Sequence, residues 1–200
     1  MRCTLPASLV ILSMTSVGSG QSLSMRERAR QLGGVATNSG NADFGIGRPE
    51  ELMALSDVVL RGVVVAVTPK LEADESMVVT DYTVAPLQFL KLPKSESSKG
   101  EPQRIVVRQP GGTLIENGLR MTTNIDIFPE DEFFALGDDV IMFLIYDAKG
   151  GVYNFAGGPF GAFQVQLGNA TAMTKRTAER RGDVPVEVTT FLYGLSRLVR

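Results

Sequence analysis

One stretch constrains the fold more than any other: Val58 to Val67, VVLRGVVVAV. Almost every residue is β-branched or apolar, a composition that suits a pleated surface better than a helix. Val58, Leu60, Gly62, Val64 and Ala66 share one face by the two-residue period of a strand, and Arg61 is the only charge, on the opposite face. A glycine inside such a run marks a bend or the close approach of another backbone, as at a barrel corner.

The rest of the chain supplies partners for this strand. Met77 to Leu90 reads as a second strand whose apolar phase slips at Pro86. Proline cannot donate to a ladder, so a bulge or an edge position is expected there. Arg104 to Arg108 is a third strand, ended by Pro110-Gly111-Gly112, and Leu119 to Ile125 is a weaker fourth. Asp139 to Tyr146 (DVIMFLIY) is the strongest apolar run and reads as a buried strand. Asp147 to Gly151 is a hairpin-like turn, Val152 to Ala156 returns, and Phe163, Val165 and Leu167 alternate with glutamines. Several short strands around one bent strand predict a mainly β chain closed into a barrel.

The flanks read differently. Arg2, the apolar run Ala7 to Val17 and the small residues Gly18, Ser19 and Gly20 stand in the order of a secretory signal over residues 1–20. Residues 21–47, charged at first and then rich in Gly and Asn, predict a disordered lead-in. A short helix opens at Pro49, with Glu50 and Glu51 at the positive end of its dipole. A mobile charged linker is expected over 169–186. The C-terminal segment 187–200 places Val188, Phe191, Leu192, Leu195, Leu198 and Val199 on one stripe of an amphipathic helix that caps the barrel. No stretch after the leader is long and apolar enough to predict a membrane span.

Composition narrows the chemistry. The 200 residues contain no histidine, which removes Ser-His-Asp and Cys-His nucleophile arrangements and histidine-ligated metal sites. The single cysteine, Cys3, lies inside the expected leader, so the mature chain has no disulfide or thiolate site and depends on packing. A net charge of −2 provides no basic field for nucleic acid.

Three pieces of sequence also resemble a known family. Ser56 to Val64 (SDVVLRGVV) is similar to the opening helix and first strand of the netrin-like module, the OB-type barrel of the tissue inhibitors of metalloproteinases. Thr80 to Val84, followed by Phe89-Leu90-Lys91, resembles that family's next strand, and Gly137 to Leu144 its later core strand. The same layout occurs in exported bacterial proteins, and the resemblance spans residues 48–167. It implies a small OB-like β-barrel over 48–168. The inhibitors place an N-terminal cysteine on the target's zinc. This chain has no cysteine after Cys3, so only the fold is carried over and not the inhibition.

The remaining clusters read most simply as structure. Glu130-Asp131-Glu132, with Asp138-Asp139, offers oxygen ligands, but the spacing matches no calcium loop and fits a solvated turn. Gly157 to Gly161 lacks the strand-to-helix setting and closing Lys-Ser/Thr of a phosphate loop, and reads as a sharp turn presenting Phe160 to a partner. Ser95, Ser97 and Ser98 lie with Lys94 and Lys99 in a polar loop that has nothing to desolvate a lysine. Asn169-Ala170-Thr171 matches a glycosylation acceptor. Tyr82, Phe89 and Arg108 are candidates to line an OB-type binding face, and Phe160 to extend it.

The sequence thus predicts an exported protein, periplasmic or extracellular, without cofactor or metal. Its expected role is non-enzymatic binding of a protein or glycan. The alternatives are a carboxylate-dependent enzyme acting on glycans and a structural accessory of the cell envelope.

Overall fold

The computed structural model describes residues 23–40, 48–92, 102–125, 134–172 and 184–199. The expected leader, the acidic run at 130–132 and the serine-lysine loop at 94–99 lie outside these residues. The described chain is mainly β, with three α-helices that include one near each end.

Five strands close a ring. β2 (Val58–Leu71) pairs antiparallel with β3 (Val78–Lys91) on one side and with β7 (Asp139–Asp147) on the other. β3 pairs with β4 (Ile105–Pro110), β4 runs parallel to β8 (Val152–Phe155), and β8 returns antiparallel to β7. Beyond the ring, β9 (Ala162–Gln166) pairs with the first half of β7, and β10 (Asn169–Ala172) and β11 (Val186–Glu187) extend that side. A separate three-stranded sheet orders β1 (Val35–Gly40), β6 (Leu119–Ile125) and β5 (Gly112–Glu116).

The alternation of β2 decides what fills the ring. Val58, Leu60 and Val64 point inside, where they meet Tyr82, Val84, Val107, Leu144 and Phe134. Phe134 takes the edge of Tyr82 at a centroid distance of 5.4 Å and 80°, the favourable arrangement of two ring quadrupoles. The opposite face carries Val59, Ile141 and Phe143, covered by α2 (Pro49–Leu55) and α3 (Val188–Ser196) through Leu52, Met53, Val188 and Leu195. β7 is therefore buried on both faces, which accounts for its unbroken apolar run. Each such side chain stabilises the fold by about 1.5–3 kcal/mol.

Gly62 and Pro86 are two halves of one feature. They face each other across the β2–β3 ladder, and the register slips between Arg61 and Gly62. A Cβ on Gly62 would sit 2.6 Å from Val84 Cγ1 and 2.7 Å from the Ala85 carbonyl oxygen. The bend expected from the glycine and the slip expected from the proline thus occur at one crossing.

Three expectations are corrected. The lead-in is not disordered throughout: α1 (Met25–Gln31) and β1 occupy part of it. Ser24 and Glu27 cap α1 reciprocally, at 3.2 and 3.0 Å, and satisfy donors a helix start otherwise leaves open. Met25, Ala29 and Ala36 are buried with Met121 and Val78, so partners distant in sequence supply the apolar surface this segment lacks on its own. Second, the start of the linker, 169–172, is the strand β10, held to β9 by its ladder, and β11 ends the same segment; residues 173–183 lie outside the described chain. Third, Phe160 is not presented at a turn. The chain turns as a 3₁₀ helix over Gly158–Gly161, and Phe160 is fully buried. A Cβ on Gly161 would collide with the Ala156 carbonyl oxygen, so only glycine lets the turn press inward and carry Phe160 with it.

Candidate functional site: the groove between the two helices

Among the described residues, a concave feature lies where α2 meets α3. Pro49 fixes the start of α2, and the Arg48 N–H donates to Glu51 at 3.0 Å. This anchors the helix so that Leu52 and Met53 face the sheet while Glu50 and Ala54 face the neighbouring helix. On α3, Val188 and Leu195 are buried, Phe191 and Leu192 half-buried, and Leu198, in the 3₁₀ turn that follows, is 41% exposed. The stripe is wider than its contact with the sheet, and its outer margin forms one wall of a groove.

The groove has two adjoining parts. One, of about 260 Å³, is lined by Val186, Phe191, Gly194, Leu195 and Leu198 against Pro49 and Glu50. The other, of about 280 Å³, lies between Met53, Ala54, Lys91 and Leu198, with Glu50 shared between the two. Phe191 is held from behind by Phe163, ring centroids 4.8 Å apart, so this wall is braced by the core. Gly194, which has nothing within 4 Å of where a Cβ would be, leaves the wall open.

Polar groups in the groove are few. Lys91 Nζ donates to the Met53 carbonyl at 2.9 Å, a cation at the negative end of α2. Outside the groove lining, Glu187 caps α3, accepting from the Thr189 and Thr190 N–H groups at 3.0 and 2.7 Å. Bonds from Thr189 and Thr190 hold its carboxyl down to about 2. The part of the groove against α3 is mainly apolar and can receive an apolar side chain, with Glu50, Thr190 and Lys91 as the polar groups along the walls.

The residues singled out from the sequence do not form one surface. Tyr82 is fully buried inside the ring, Phe89 is half-buried against the same core, and Phe160 lies beneath its turn. Arg108 faces outward on β4, and its guanidinium is bound to Asp81 through two bonds of 2.8 and 3.0 Å. Lys70 joins the same carboxylate. Burial pushes the Asp81 carboxyl up, but Arg108 and Lys70 together outweigh it and hold the group below its ordinary value. Arg108 is raised in turn, chiefly by its bond to Asp81. Two cations share this one carboxylate, with Glu72 and Asp147 also acting on Arg108, and the paired guanidinium braces β3 against β4. A second forked pair, Arg61 with Asp139 at 3.0 and 2.6 Å, ties β2 to β7 in the same way.

The groove was not visible in the sequence as a site, although its two halves were. The signal was an excess of apolar positions, with Leu55 and Leu198 left over after each helix has covered the sheet. Asn169 and Thr171, the acceptor motif, lie on β10 and are half-buried.

Among the described residues, no three His, Cys, Asp or Glu side chains are placed to hold a metal ion, and no helix is long and apolar enough to cross a membrane. No family model matches the chain, and no curated protein matches it.

Proposed function

We propose that this chain is an exported, non-enzymatic binding module on an OB-type, netrin-like barrel, and that the α2–α3 groove seats an apolar anchor of a protein partner. The observation that carries the reading is the part of the groove against α3: braced by Phe163 behind Phe191, mainly apolar, and open along Leu198. Pockets of this kind, with few polar groups, are where apolar anchors bind. A glycan would need several convergent hydrogen-bonding groups, and the walls supply Glu50, Thr190 and a Lys91 already engaged with the Met53 carbonyl.

Two features support the barrel assignment. The ring runs β2-β3-β4-β8-β7 and back to β2, and its one parallel contact joins β4 to β8. A closed order with a single parallel contact is what a Greek-key barrel of the OB type would have, and it supports that reading. Export is supported by the apolar run after Arg2 and the small residues that follow it.

Photo-crosslinking tests the groove. A photoreactive residue at position 198 is expected to capture a protein from envelope extract, and the same residue at fully exposed Leu167 is not. A separate pull-down through an affinity tag should lose that protein when Leu198 is changed to aspartate. Identical adducts from both positions, or retention unaffected by Leu198→Asp, would sink the assignment. Export is read separately, by the mass of the mature protein. Cleavage near residue 20 is expected, and an intact N-terminus in the cytoplasm would refute it.

A further inference from the structure

The small sheet has an open edge. β1 lies at its margin, parallel to β6, with Val35 opposite Arg120, Thr37 opposite Thr122 and Ser39 opposite Asn124. The Arg120 N–H donates to the Gly34 carbonyl at 2.7 Å. In a parallel ladder, a residue is bracketed by bonds to the residues before and after its partner. The Gly34 carbonyl and both the N–H and C=O groups of Ala36 and Asn38 therefore turn toward β6, while the Gly34 N–H donates back to the Ala29 carbonyl at 2.8 Å. Val35, Thr37 and Ser39 turn theirs to the other side, where no strand among the described residues pairs with them. All three of these residues are exposed.

Strand edges are ordinarily blunted by charge, proline, a bulge or shortness. β11 is two residues long. β5 begins at Gly112 with φ of 122° and ends at Glu116, which is tied to Arg26 at 2.8 Å. β1, Val-Ala-Thr-Asn-Ser-Gly, has no charge and no proline, and its register to β6 is unbroken. Leu32 and Val35, exposed by 69% and 52%, stand at its start.

We propose that this edge pairs with the same edge of a second copy of the chain, antiparallel and on a two-fold axis through Thr37. In that register Thr37 lies opposite Thr37 of the other copy, and Val35 lies opposite Ser39. All three outward residues then exchange both bonds with their counterparts, about six hydrogen bonds in all. Three features select a copy over an unrelated peptide. The strand is self-complementary in register, its central pair is Thr–Thr, which is favourable across strands, and no like charges meet between Val35 and Ser39. The two-fold pairing also closes, joining two three-stranded sheets into one and leaving no β1 edge exposed.

Sedimentation velocity over a roughly hundredfold concentration range tests this, with weak, reversible dimerisation expected of so small a contact. Thr37→Pro removes an outward N–H and leaves the ladder to β6 intact, because residue 37 gives no bond to β6. It should weaken the dimer about tenfold or more while far-UV circular dichroism stays native. Thr37→Lys places a charge at the two-fold axis and gives the same reading if the proline variant does not fold. Amide exchange at Val35, Thr37 and Ser39 should slow as concentration rises. A protein that stays monomeric throughout, or a dimer that both variants leave unchanged, would overturn the proposal.

Discussion

Replacing Gly62 with alanine adds one methyl group at the point where β2 crosses β3. The backbone there is not in the left-handed region, so strain in φ plays no part. By chain entropy alone the change would stabilise the protein, by about 0.4–1 kcal/mol, because alanine stiffens the unfolded chain. The contacts oppose this. The new carbon would lie 2.6 Å from Val84 Cγ1 and 2.7 Å from the Ala85 carbonyl oxygen. Val84 is fully buried in the ring, and Ala85 O belongs to the backbone, so neither can move without disturbing the core or the ladder. Overpacking of this kind costs about 1–3 kcal/mol. The net expectation is a loss of about 1–2 kcal/mol, or roughly 2–8 °C in Tm for a chain of this size. Gly194→Ala is the matched control. Nothing lies within 4 Å of its Cβ position and it sits inside α3, so the same substitution should stabilise by about 0.5–1 kcal/mol. Urea unfolding followed by tyrosine fluorescence suits a chain with four tyrosines and no tryptophan. If Gly62→Ala proves as stable as the parent or more so, β2 and β3 do not cross as closely as described, and the account of the bend fails.

Other expectations follow from the ion pairs and from α3. Asp81→Asn keeps the size of the side chain but leaves Arg108 and Lys70 without their carboxylate, at a cost of about 2 kcal/mol. Because the folded Asp81 is held below its unfolded value, its contribution is full above about pH 3.9 and is lost as pH falls through the lower folded value. The variant should therefore lose less stability than the parent on acidification, which unfolding curves at neutral and acid pH will show. Glu187 obeys the same sign: its support for the start of α3 is present above 4.5 and disappears as pH falls through about 2. Its carboxyl carbon should titrate near 2 by NMR, and an ordinary glutamate midpoint would refute the cap. Leu195→Ala should cost about 2–5 kcal/mol, since Leu195 is 2% exposed, whereas Tyr193→Ala, at 66%, should change stability by less than about 0.5 kcal/mol. Equal effects would mean that α3 docks on the fold without belonging to its core.

What the sequence made legible was whatever local periodicity decides. The strand interrupted at Gly62, the slip at Pro86, the burial of β7 and the docking of α3 through Val188 and Leu195 all follow from side-chain spacing, although Leu198 of the same stripe stays exposed. What remained hidden was set by partners distant in sequence. Met25, Ala29 and Ala36 are too few to form a core alone, and are buried only because Met121 and Val78 arrive from other strands. The one local hint was the Ser24–Glu27 capping box, a helix start in a segment whose composition otherwise argues for disorder. Phe160 failed for a related reason. Glycines on both sides read as a turn, and turns are usually at the surface, but Gly161 fits against the Ala156 backbone and the same flexibility directs the ring inward. The candidate site belongs to this second class. Neither α2 nor α3 shows a groove by itself; each shows only more apolar surface than one contact consumes. Such an excess becomes a site when two helices covering the same face of a sheet stop short of each other, as α2 and α3 do along Glu50 and Leu198.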